Sequence, residues 1–550
     1  MIKRFFNSQT KTVTFAAGLL SVSALASRFL GLIRDGLLAG HFGATIETDI
    51  YFAAFRIPDF VYNFLIVGGL TIAFLPLFSE YYSKDKEKGW EMTNNLLNVF
   101  LFFLILISLV LFIFTPWLIK FIAPGFSPES KALAAKLTRL MFLSPILFGI
   151  SNIFSSLLHY FNRFLVYSIA PVLYNLGIIF GIIFLAPSFG IFGVGMGVIL
   201  GAFLHLAIQI PSAIGSGFKY KFVFNLRYPA IKEVVRLMIP RSFAVGAQQI
   251  NLIVITAIAS TLVAGSIAIF NFANNIYHIP VGIFGISFAL AAFPKMSRAW
   301  ALGKNEEFLE SFSSGFRQIL FLVIPASVLL FLLRAQLVRV VLGSLGPGRF
   351  GWQDTRLTAA CLGIFSVGVF ASALIPFVCR AFFSFKDTKT PTLIAVAGVI
   401  LNIFLSFYLT GFLKGTNFLQ RFVAGFFDLQ KGIGDISVTG LPLAFTIGVM
   451  FQFTLLLYFF HKRMGDFRVK EILHSFEKIV IATALSSVFV YFNLRFVSSL
   501  VNMQTFFGVF IQGISSGLMG VLIYLLASLF LKSPELRIIK SAILKQFTKE

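Results

Sequence analysis

Apolar stretches of about 20 or more residues recur along the whole chain, and they constrain its fold more than any other feature. A helix of that length crosses a hydrocarbon layer of roughly 30 Å. The 550-residue chain is 58% hydrophobic and only 12% charged, unlike a water-soluble protein. The sequence therefore predicts an all-α polytopic membrane protein. A membrane β-barrel is excluded because the alternating segments of about 10 residues that it requires are absent.

The apolar pattern predicts fourteen membrane-spanning helices. Their approximate bounds are 13–40, 49–82, 92–119, 130–158, 164–186, 189–214, 231–261, 264–293, 308–334, 355–384, 390–413, 437–461, 471–497 and 503–531. Lys and Arg are concentrated in alternate connections, which include Lys3 and Arg4, 84-KDKEK-88, Lys219, Lys221, Arg227, 462-KRMGDFRVK-470 and the tail from Lys532. The positive-inside rule places these connections and both termini in the cytoplasm.

Charge, cysteine and histidine usage exclude several classes of function. The net charge of +23 is spread over short loops, whereas a nucleic-acid-binding protein would gather it in one basic domain. Cys361 and Cys379 lack the spacing of a metal site, and the six histidines are scattered singly. We therefore expect no metal and no cofactor, and we interpret His205 and His278 as polar packing residues.

An internal repeat predicts how the spans are organised. Spans two and eight end in the same Pro-x-x-Ser pattern, at Pro76 and Pro294. Spans five and eleven begin with Pro171 and Pro391, and spans six and twelve share a pattern of glycines followed by glutamine. We expect two six-helix bundles related by a pseudo-two-fold axis, as in transporters that work by alternating access. The predicted domains are residues 1–218, residues 219–465, and residues 466–550 with helices 13 and 14 and a basic tail.

Ionisable residues lie inside the first two spans, although each charge at the bilayer centre costs roughly 2.5–3.5 kcal/mol on insertion scales. Arg28 and Asp35 are seven residues apart and therefore share a helix face. Asp49 and Arg56 have the same spacing and also share a face. One interpretation is that these charges pair and fix the two spans together. The other is that the arginines bind phosphate, because a guanidinium offers two parallel charge-assisted hydrogen bonds. The natural ligand would then be an anionic head group such as a pyrophosphate.

Further polar residues extend this set of candidates. Arg34 lies beside Asp35, Arg241 follows Pro240 in span seven, and span eight contains Asn275. Asparagines and glutamines in spans seven and eight either hydrogen-bond a sugar or peptide or join helices, and the sequence leaves both open.

Residues 27–60 read SRFLGLIRDGLLAGHFGATIETDIYFAAFRIPDF. This segment resembles the first two spans of the MurJ (MviN) lipid II flippase family, which belongs to the multidrug/oligosaccharidyl-lipid/polysaccharide exporter superfamily. The segments 248-QQINLIVITAIAS-260, 279-IPVGIFGISFALAAFP-294 and 380-RAFFSFKDTKTPT-392 are similar to that family's spans seven and eight and its loop between spans ten and eleven. The similarity extends over nearly the whole chain.

The resemblance implies export of the undecaprenyl-pyrophosphate-linked peptidoglycan precursor from the inner to the outer leaflet of a bacterial inner membrane. Arg28 and Arg34 match two essential arginines of the family, Asp49 matches its span-two aspartate, and Arg56 matches a basic residue. Asp35 and Asp49 would tune the grip of the arginines on the pyrophosphate, and residues 471–531 would form a groove for the lipid tail. The implied partners are the lipid-linked anionic substrate, membrane lipids and cell-wall synthesis enzymes. We expect a monomer.

The chain departs from the family pattern at several positions. Tyr62 and Asn63 stand where an arginine is common, and Asn275 replaces another arginine in span eight. Val67 stands in place of a glutamate, and an aspartate of span seven is replaced by Ile255 or an apolar neighbour. Arg56 and Arg241 are the candidates to supply the missing positive charge.

Four other functions compete with lipid II export. A flippase for another polyprenyl-linked glycan would share the same architecture, as would a multidrug antiporter, although the extra helix pair argues against the latter. A non-transporting cell-wall scaffold would tolerate the loss of Arg28 and Arg34. A membrane enzyme ranks last, because the sequence lacks a nucleophile–base set, a metal cluster and a phosphate-binding glycine loop.

Overall fold

The computed structural model describes residues 13–430 and 433–538, with the backbone alone for residues 13–17, 68, 69, 71, 72, 240, 241, 243 and 244. These ranges are helical almost throughout and contain no β-strand. The predicted all-helical fold class is confirmed. The basic residues Lys3 and Arg4 and the end of the basic tail lie outside the described residues.

The helices group into two compact units. The first comprises Met1–Ala268 with Leu345–Arg349, and the second comprises Ile269–Ser344 with Phe350–Glu550. The first unit contains α1 (Val13–Phe42), α2 (Ile46–Val61), α3 (Thr71–Lys84), α4 (Lys86–Ile122), α5 (Pro128–Met141), α6 (Leu143–Tyr160), α7 (Phe164–Phe180), α8 (Ala186–Phe189), α9 (Ile191–Ala207), α10 (Ile210–Gly215) and α11 (Pro229–Ser260). The boundary falls inside α12 (Ser266–Pro280), after Ala268.

The second unit contains the remaining helices. They are α13 (Ser287–Ala301), α14 (Asn305–Leu332), α15 (Arg334–Leu342), α16 (Trp352–Ser384), α17 (Lys389–Lys414), α18 (Phe418–Phe426), α19 (Gly440–Met464), α20 (Val469–Leu500) and α21 (Phe506–Phe530). The domain limits predicted at residues 218 and 465 were derived from the internal repeat, whereas the two units are defined by how compactly the helices pack. The predicted limits therefore stay predictions.

Within the described residues, twelve helical segments are long and apolar enough to cross a membrane. The two other predicted spans correspond to α1 and α11, which have 30 and 32 residues. Both of these helices include residues whose side chains are not described, and α1 contains the charges discussed above. The polytopic membrane architecture therefore agrees with the apolar pattern of the sequence.

Span two contains a π-helical segment that the sequence did not predict. Pro58 lies inside α2, which continues past it to Val61 and changes to a π-helix over Tyr62–Leu70. The second unit has the same irregularity over Val281–Ile286, directly after Pro280. In both units this π-helix precedes the Pro-x-x-Ser sequence, and the first unit has a further π-helical segment over Gly181–Leu185. Each unit thus has, at the same point of the predicted repeat, a helix geometry that often marks functional positions.

Glycines allow two helices of the first unit to pack backbone to backbone. A Cβ atom on Gly177 of α7 would lie 2.3 Å from the Cα of Gly201 on α9, and a Cβ on Gly181 would lie 2.5 Å from the Cα of Gly197. Small residues permit such close approaches in membrane proteins, where packing replaces the hydrophobic effect as the driving force. In the second unit, α17 and α19 form the corresponding pair.

The last two helices of the second unit are held to α14 by polar contacts. Arg317 of α14 forms ion pairs with Glu471 at 3.7 Å and with the buried Glu535 at 3.1 Å. The hydroxyl of Tyr524 on α21 donates to the carbonyl of Phe321 at 2.7 Å. Because these groups come from both helices and from the chain beyond α21, they fix the carboxyl-terminal pair against the rest of the unit.

Candidate functional site

The charged residues of α1 form an ion pair within the helix itself. The guanidinium of Arg34 donates from Nε at 3.0 Å and from Nη2 at 2.8 Å to the same carboxylate oxygen of Asp35. The side chain of Arg34 is 25% exposed, whereas that of Asp35 is 6% exposed. Asp35 is thus paired with the residue that precedes it in the chain, and it also interacts electrostatically with Tyr51 of α2.

An asparagine on α7 fixes the other side of the Arg34 guanidinium. Nη1 of Arg34 donates to the amide oxygen of Asn175 at 3.2 Å. The amide nitrogen of Asn175 donates to the carbonyl and the hydroxyl of Ser27 and to the carbonyl of Pro171, at 3.1–3.2 Å. Asn175 is buried and joins two turns of α1 to α7. Sequence reasoning missed this residue, although a lone amide in the apolar stretch 164–180 was the available signal.

Aromatic and acidic side chains surround Arg34 within the first unit. The carboxylate of Asp59 interacts electrostatically with both Arg56 and Arg34. Tyr51 of α2 and Tyr174 of α7 are also within electrostatic reach of Arg34. We call Arg34, Asp35, Tyr51, Asp59, Tyr174 and Asn175 the Arg34 cluster. Asp59 is not among the site residues predicted from the sequence.

Arg56 points to a different helix from the Arg34 pair. Its side chain is buried, and Nε donates to the hydroxyl of Thr256 on α11 at 2.7 Å. That hydroxyl in turn donates to the carbonyl of Leu252 at 2.8 Å. Arg56 therefore ties α2 to α11 and shares with the Arg34 cluster the carboxylate of Asp59.

Asp49 has a partner that the heptad spacing to Arg56 did not predict. Its two carboxylate oxygens accept from the backbone amides of Gly265 at 2.7 Å and Ala268 at 2.8 Å. These amides belong to the first turn of α12 and the residue before it, where helices have unsatisfied donors. Asp49 thus caps the amino terminus of α12 from a neighbouring helix, where a negative charge is favoured.

The remaining predicted site residues lie elsewhere. Arg28 is exposed on α1, next to Ser27, which is bonded to Asn175. Asn275 is half-buried on α12, in the part of that helix that belongs to the second unit. The side chain of Arg241 lies outside the described residues. Among the residues that are described, no group of three or more His, Cys, Asp or Glu side chains could hold a metal ion.

Two positions that depart from the resembled family lie at the start of the first π-helix. The amide of Asn63 donates to the backbone carbonyl of Asp59 at 2.9 Å. The ring of Tyr62 packs against Phe148 with the centroids 5.1 Å apart. Neither side chain is cationic, so the positive charge of the first unit near Asp59 comes from Arg34 and Arg56.

The loop motif 387-DTKTP-391 has a structural explanation. Asp387 accepts from the backbone amide and the hydroxyl of Thr390 and forms an ion pair with Arg463 at 3.0 Å. Burial alone would raise the pKa of Asp387, but the two bonds from Thr390 and the charge of Arg463 outweigh it and lower the pKa. This motif therefore begins α17 and joins it to the end of α19.

Comparisons with known proteins agree on one family. Residues 38–511 match the sequence profile described as lipid II flippase MurJ. The chain is 30% identical over 491 residues to a probable lipid II flippase MurJ of Borreliella burgdorferi, covering 86% of this chain and 94% of that protein. It is 29% identical over 404 residues to the lipid II flippase MurJ of Burkholderia cenocepacia, covering 71% and 77%.

Solved structures show the same similarity. A lipid II flippase MurJ in an inward closed conformation superposes with a TM-score of 0.74 and 25% identity, covering 94% of this chain and 99% of that one. An inward-facing multidrug resistance MATE family transporter of the MOP superfamily superposes with a TM-score of 0.64 and 13% identity, covering 80% and 95%. At that identity the second similarity speaks for the fold alone.

Proposed function

The chain belongs to the lipid II flippase MurJ family, and from that membership we propose that the Arg34 cluster binds the pyrophosphate of lipid II during transport. The protein transports lipid II across the membrane that its helices span. We further propose that it exports lipid II by alternating access and without a catalytic step. Both termini would then lie in the cytoplasm, with the helices in a bacterial inner membrane.

The proposal rests on the Arg34 guanidinium, which is held in place and still has N–H groups available to donate. It lies on a membrane helix, is held from two sides by Asp35 and Asn175, and is still 25% exposed. Among the described residues, three of its five N–H groups have an acceptor, so two remain able to donate. A fixed guanidinium with two N–H groups available matches the fork geometry that binds phosphate oxygens.

The acidic members of the cluster make binding reversible. Asp35 is bonded to Arg34, and Asp59 interacts with Arg34 and Arg56, so the arginines are neutralised when no substrate is present. A pyrophosphate must compete with these carboxylates, which prevents an excessively tight complex. The capping contact of Asp49 with α12 assigns this residue a supporting role instead, since its oxygens are occupied by backbone amides.

Complementation of a conditional lipid II flippase mutant tests the proposal. We expect the unchanged protein to restore growth and Arg34→Ala to fail at equal membrane abundance. Arg34→Lys should also be impaired, because an ammonium group cannot reproduce the three bonds of the guanidinium. Arg421→Ala is the matched control, since Arg421 is exposed on the surface helix α18. Growth with Arg34→Ala equal to that with the unchanged protein would contradict the assignment of the pyrophosphate to Arg34.

A binding measurement separates the site from the transport cycle. Purified protein in detergent should bind lipid II, and Arg34→Ala should weaken binding about 10-fold to 100-fold, since hydrogen bonds to a charged group are worth about 1.5–3 kcal/mol. Normal binding by a variant that cannot support growth would place the role of Arg34 in conformational change rather than in substrate recognition.

A further inference from the structure

An irregular segment between α10 and α11 is held along α4 by a row of asparagines. The segment reads 218-FKYKFVFNLR-227, and we call it the strap. Asn94 donates to the carbonyl of Lys219 and accepts from the amide of Lys221, both at 3.0 Å. The strap therefore follows α4 without belonging to any regular element of its own.

Two further asparagines continue the row. Asn98 donates to the carbonyl of Val223 at 3.0 Å and accepts from the hydroxyl of Tyr220 at 3.0 Å. Asn95 donates to the carbonyl of Asn225 at 3.0 Å and accepts from the amide of that residue at 2.6 Å. Because Asn225 bonds to Asn95 and Val223 bonds to Asn98, the strap runs towards the middle of α4, turns, and comes back.

The depth of the strap follows from the helix that holds it. Asn94 and Asn98 lie about 12 and 18 Å along α4 from its first residue, Lys86, at 1.5 Å per residue. An uninterrupted apolar run of α4 begins at Val99, directly after Asn98. Irregular backbone beside such a run is costly unless its polar groups are hydrogen-bonded, and the three asparagines bind backbone groups of Lys219, Lys221, Val223 and Asn225.

Most side chains of the strap point away from the protein, whereas Phe218 is buried in the core of the first unit. Phe222 at its turn is 76% exposed, and Tyr220, Leu226, Lys219 and Lys221 are exposed as well. Phe224 packs edge-on against Phe102 with the ring centroids 5.4 Å apart. Phe102 is itself exposed on the apolar face that α4 turns to the hydrocarbon. The tip of the strap is thus continuous with a lipid-facing surface.

We propose that the strap is a membrane-inserted loop that binds anionic phospholipids of the cytoplasmic leaflet. The amphipathic ring of Tyr220 suits the boundary between head groups and acyl chains, and the exposed apolar rings of Phe222 and Phe224 suit burial just below it. Lys219, Lys221 and Arg227 flank these rings and carry the charge that complements lipid phosphates. The loop lies in the set of connections that the positive-inside rule places in the cytoplasm.

The first arm of the test measures insertion. A nitroxide is attached at Phe222→Cys in the full-length protein, with Cys361 and Cys379 changed to alanine, in nanodiscs that contain phosphatidylglycerol. We expect greater relaxation by oxygen than by a water-soluble nickel complex, as for a site below the head groups. Lys88→Cys on the first turn of α4 is the aqueous control. Equal nickel accessibility at the two sites would overturn the proposal and leave a soluble partner as the occupant.

The second arm measures lipid preference by native mass spectrometry with phosphatidylglycerol and phosphatidylethanolamine as probes. Each basic residue near an anionic surface is worth about 1 kcal/mol, or about fivefold in affinity. Changing Lys219, Lys221 and Arg227 to glutamine should therefore reduce the preference for phosphatidylglycerol by up to about a hundredfold. Lys86→Gln with Lys88→Gln should leave it unchanged, because these lysines lie outside the strap.

Lipid II is the competing source of phosphate, and the same samples separate it from phospholipid. If the triple variant lost lipid II binding but kept its preference for phosphatidylglycerol, the strap would belong to the substrate route and the proposal would be wrong. An unchanged preference with unchanged lipid II binding would overturn it equally. Loss of phosphatidylglycerol preference with lipid II binding intact supports it, and this outcome does not depend on the role of Arg34.

Discussion

The carboxylate of Asp49 accepts a hydrogen bond of 2.8 Å from the backbone amide of Ala268, 219 positions further along the chain. The second oxygen of Asp49 accepts from Gly265, so the first turn of α12 is closed by a residue of α2. An aspartate that the sequence analysis predicted to be a site residue is thereby engaged in fixing a helix terminus.

Asp49→Ala should destabilise the protein, because it leaves two buried backbone donors without an acceptor. The expected loss is about 1–3 kcal/mol, the cost of unsatisfied buried polar groups. The measurement is the melting temperature in detergent, with Glu47→Gln on the same helix as the control. An unchanged melting temperature together with loss of lipid II binding would show that Asp49 acts on substrate instead.

Asp59→Asn should strengthen the binding of lipid II. The substitution removes a negative charge that acts on both Arg34 and Arg56 while keeping nearly the same shape. Tighter binding should slow release, so we expect higher affinity for purified protein and weaker complementation of growth. Lower affinity would mean that Asp59 positions the arginines and does not compete for them.

Asn175→Leu should weaken lipid II binding without lowering the amount of folded protein greatly. The change removes the acceptor of Arg34 and the donor to Ser27, so the guanidinium is held by Asp35 alone. Asn152→Leu on α6 is a matched loss of a half-buried amide of the same unit. We expect a several-fold rise in the dissociation constant for Asn175→Leu only, and equal effects of the two variants would indicate a general packing defect.

Gly201→Ala should destabilise the first unit. The new Cβ would lie 2.4 Å from the carbonyl oxygen of Tyr174, and overpacking of a close helix pair costs about 1–3 kcal/mol. In the second unit the corresponding Gly448→Ala meets its nearest atom at 3.2 Å and should cost less. Gly411→Ala, which meets nothing within 4 Å, is the control. Thermal unfolding of the three variants ranks them, and a reversed order would contradict the close contact of α7 with α9.

Asp387→Asn should change the dependence of stability on pH. The pKa of Asp387 is lower in the folded protein than its ordinary value, so the ionised carboxylate stabilises the fold above that ordinary value. This contribution is lost as the pH falls through the lowered pKa. We expect the variant to melt below the unchanged protein at neutral pH and the difference to shrink in acid. A difference that is constant with pH would exclude a role for the charge.

Sequence alone determined the class of this protein. Apolar runs long enough to cross a bilayer predicted its helices, because in lipid the backbone must satisfy its own hydrogen bonds within each span. The motifs around Arg34 and Asp35 and in 387-DTKTP-391 indicated the family, which the comparisons confirmed over residues 38–511. Arginines inside apolar segments also indicated the candidate site, because charges that are costly to place in a membrane are usually kept there for a function.

Tertiary structure decided which residues are partners. The acceptor of Arg34 on α7 lies 141 positions away in the chain. The amides bound by Asp49 lie 216 and 219 positions away, and the hydroxyl bonded to Arg56 lies 200 positions away. Helical periodicity relates residues within a few turns, so it placed Asp49 and Arg56 on one helix face but could not predict that Asp49 binds the amides of Gly265 and Ala268. Hydrogen-bond partners at long range depend on how helices pack, and glycine contacts such as Gly177 with Gly201 set that packing.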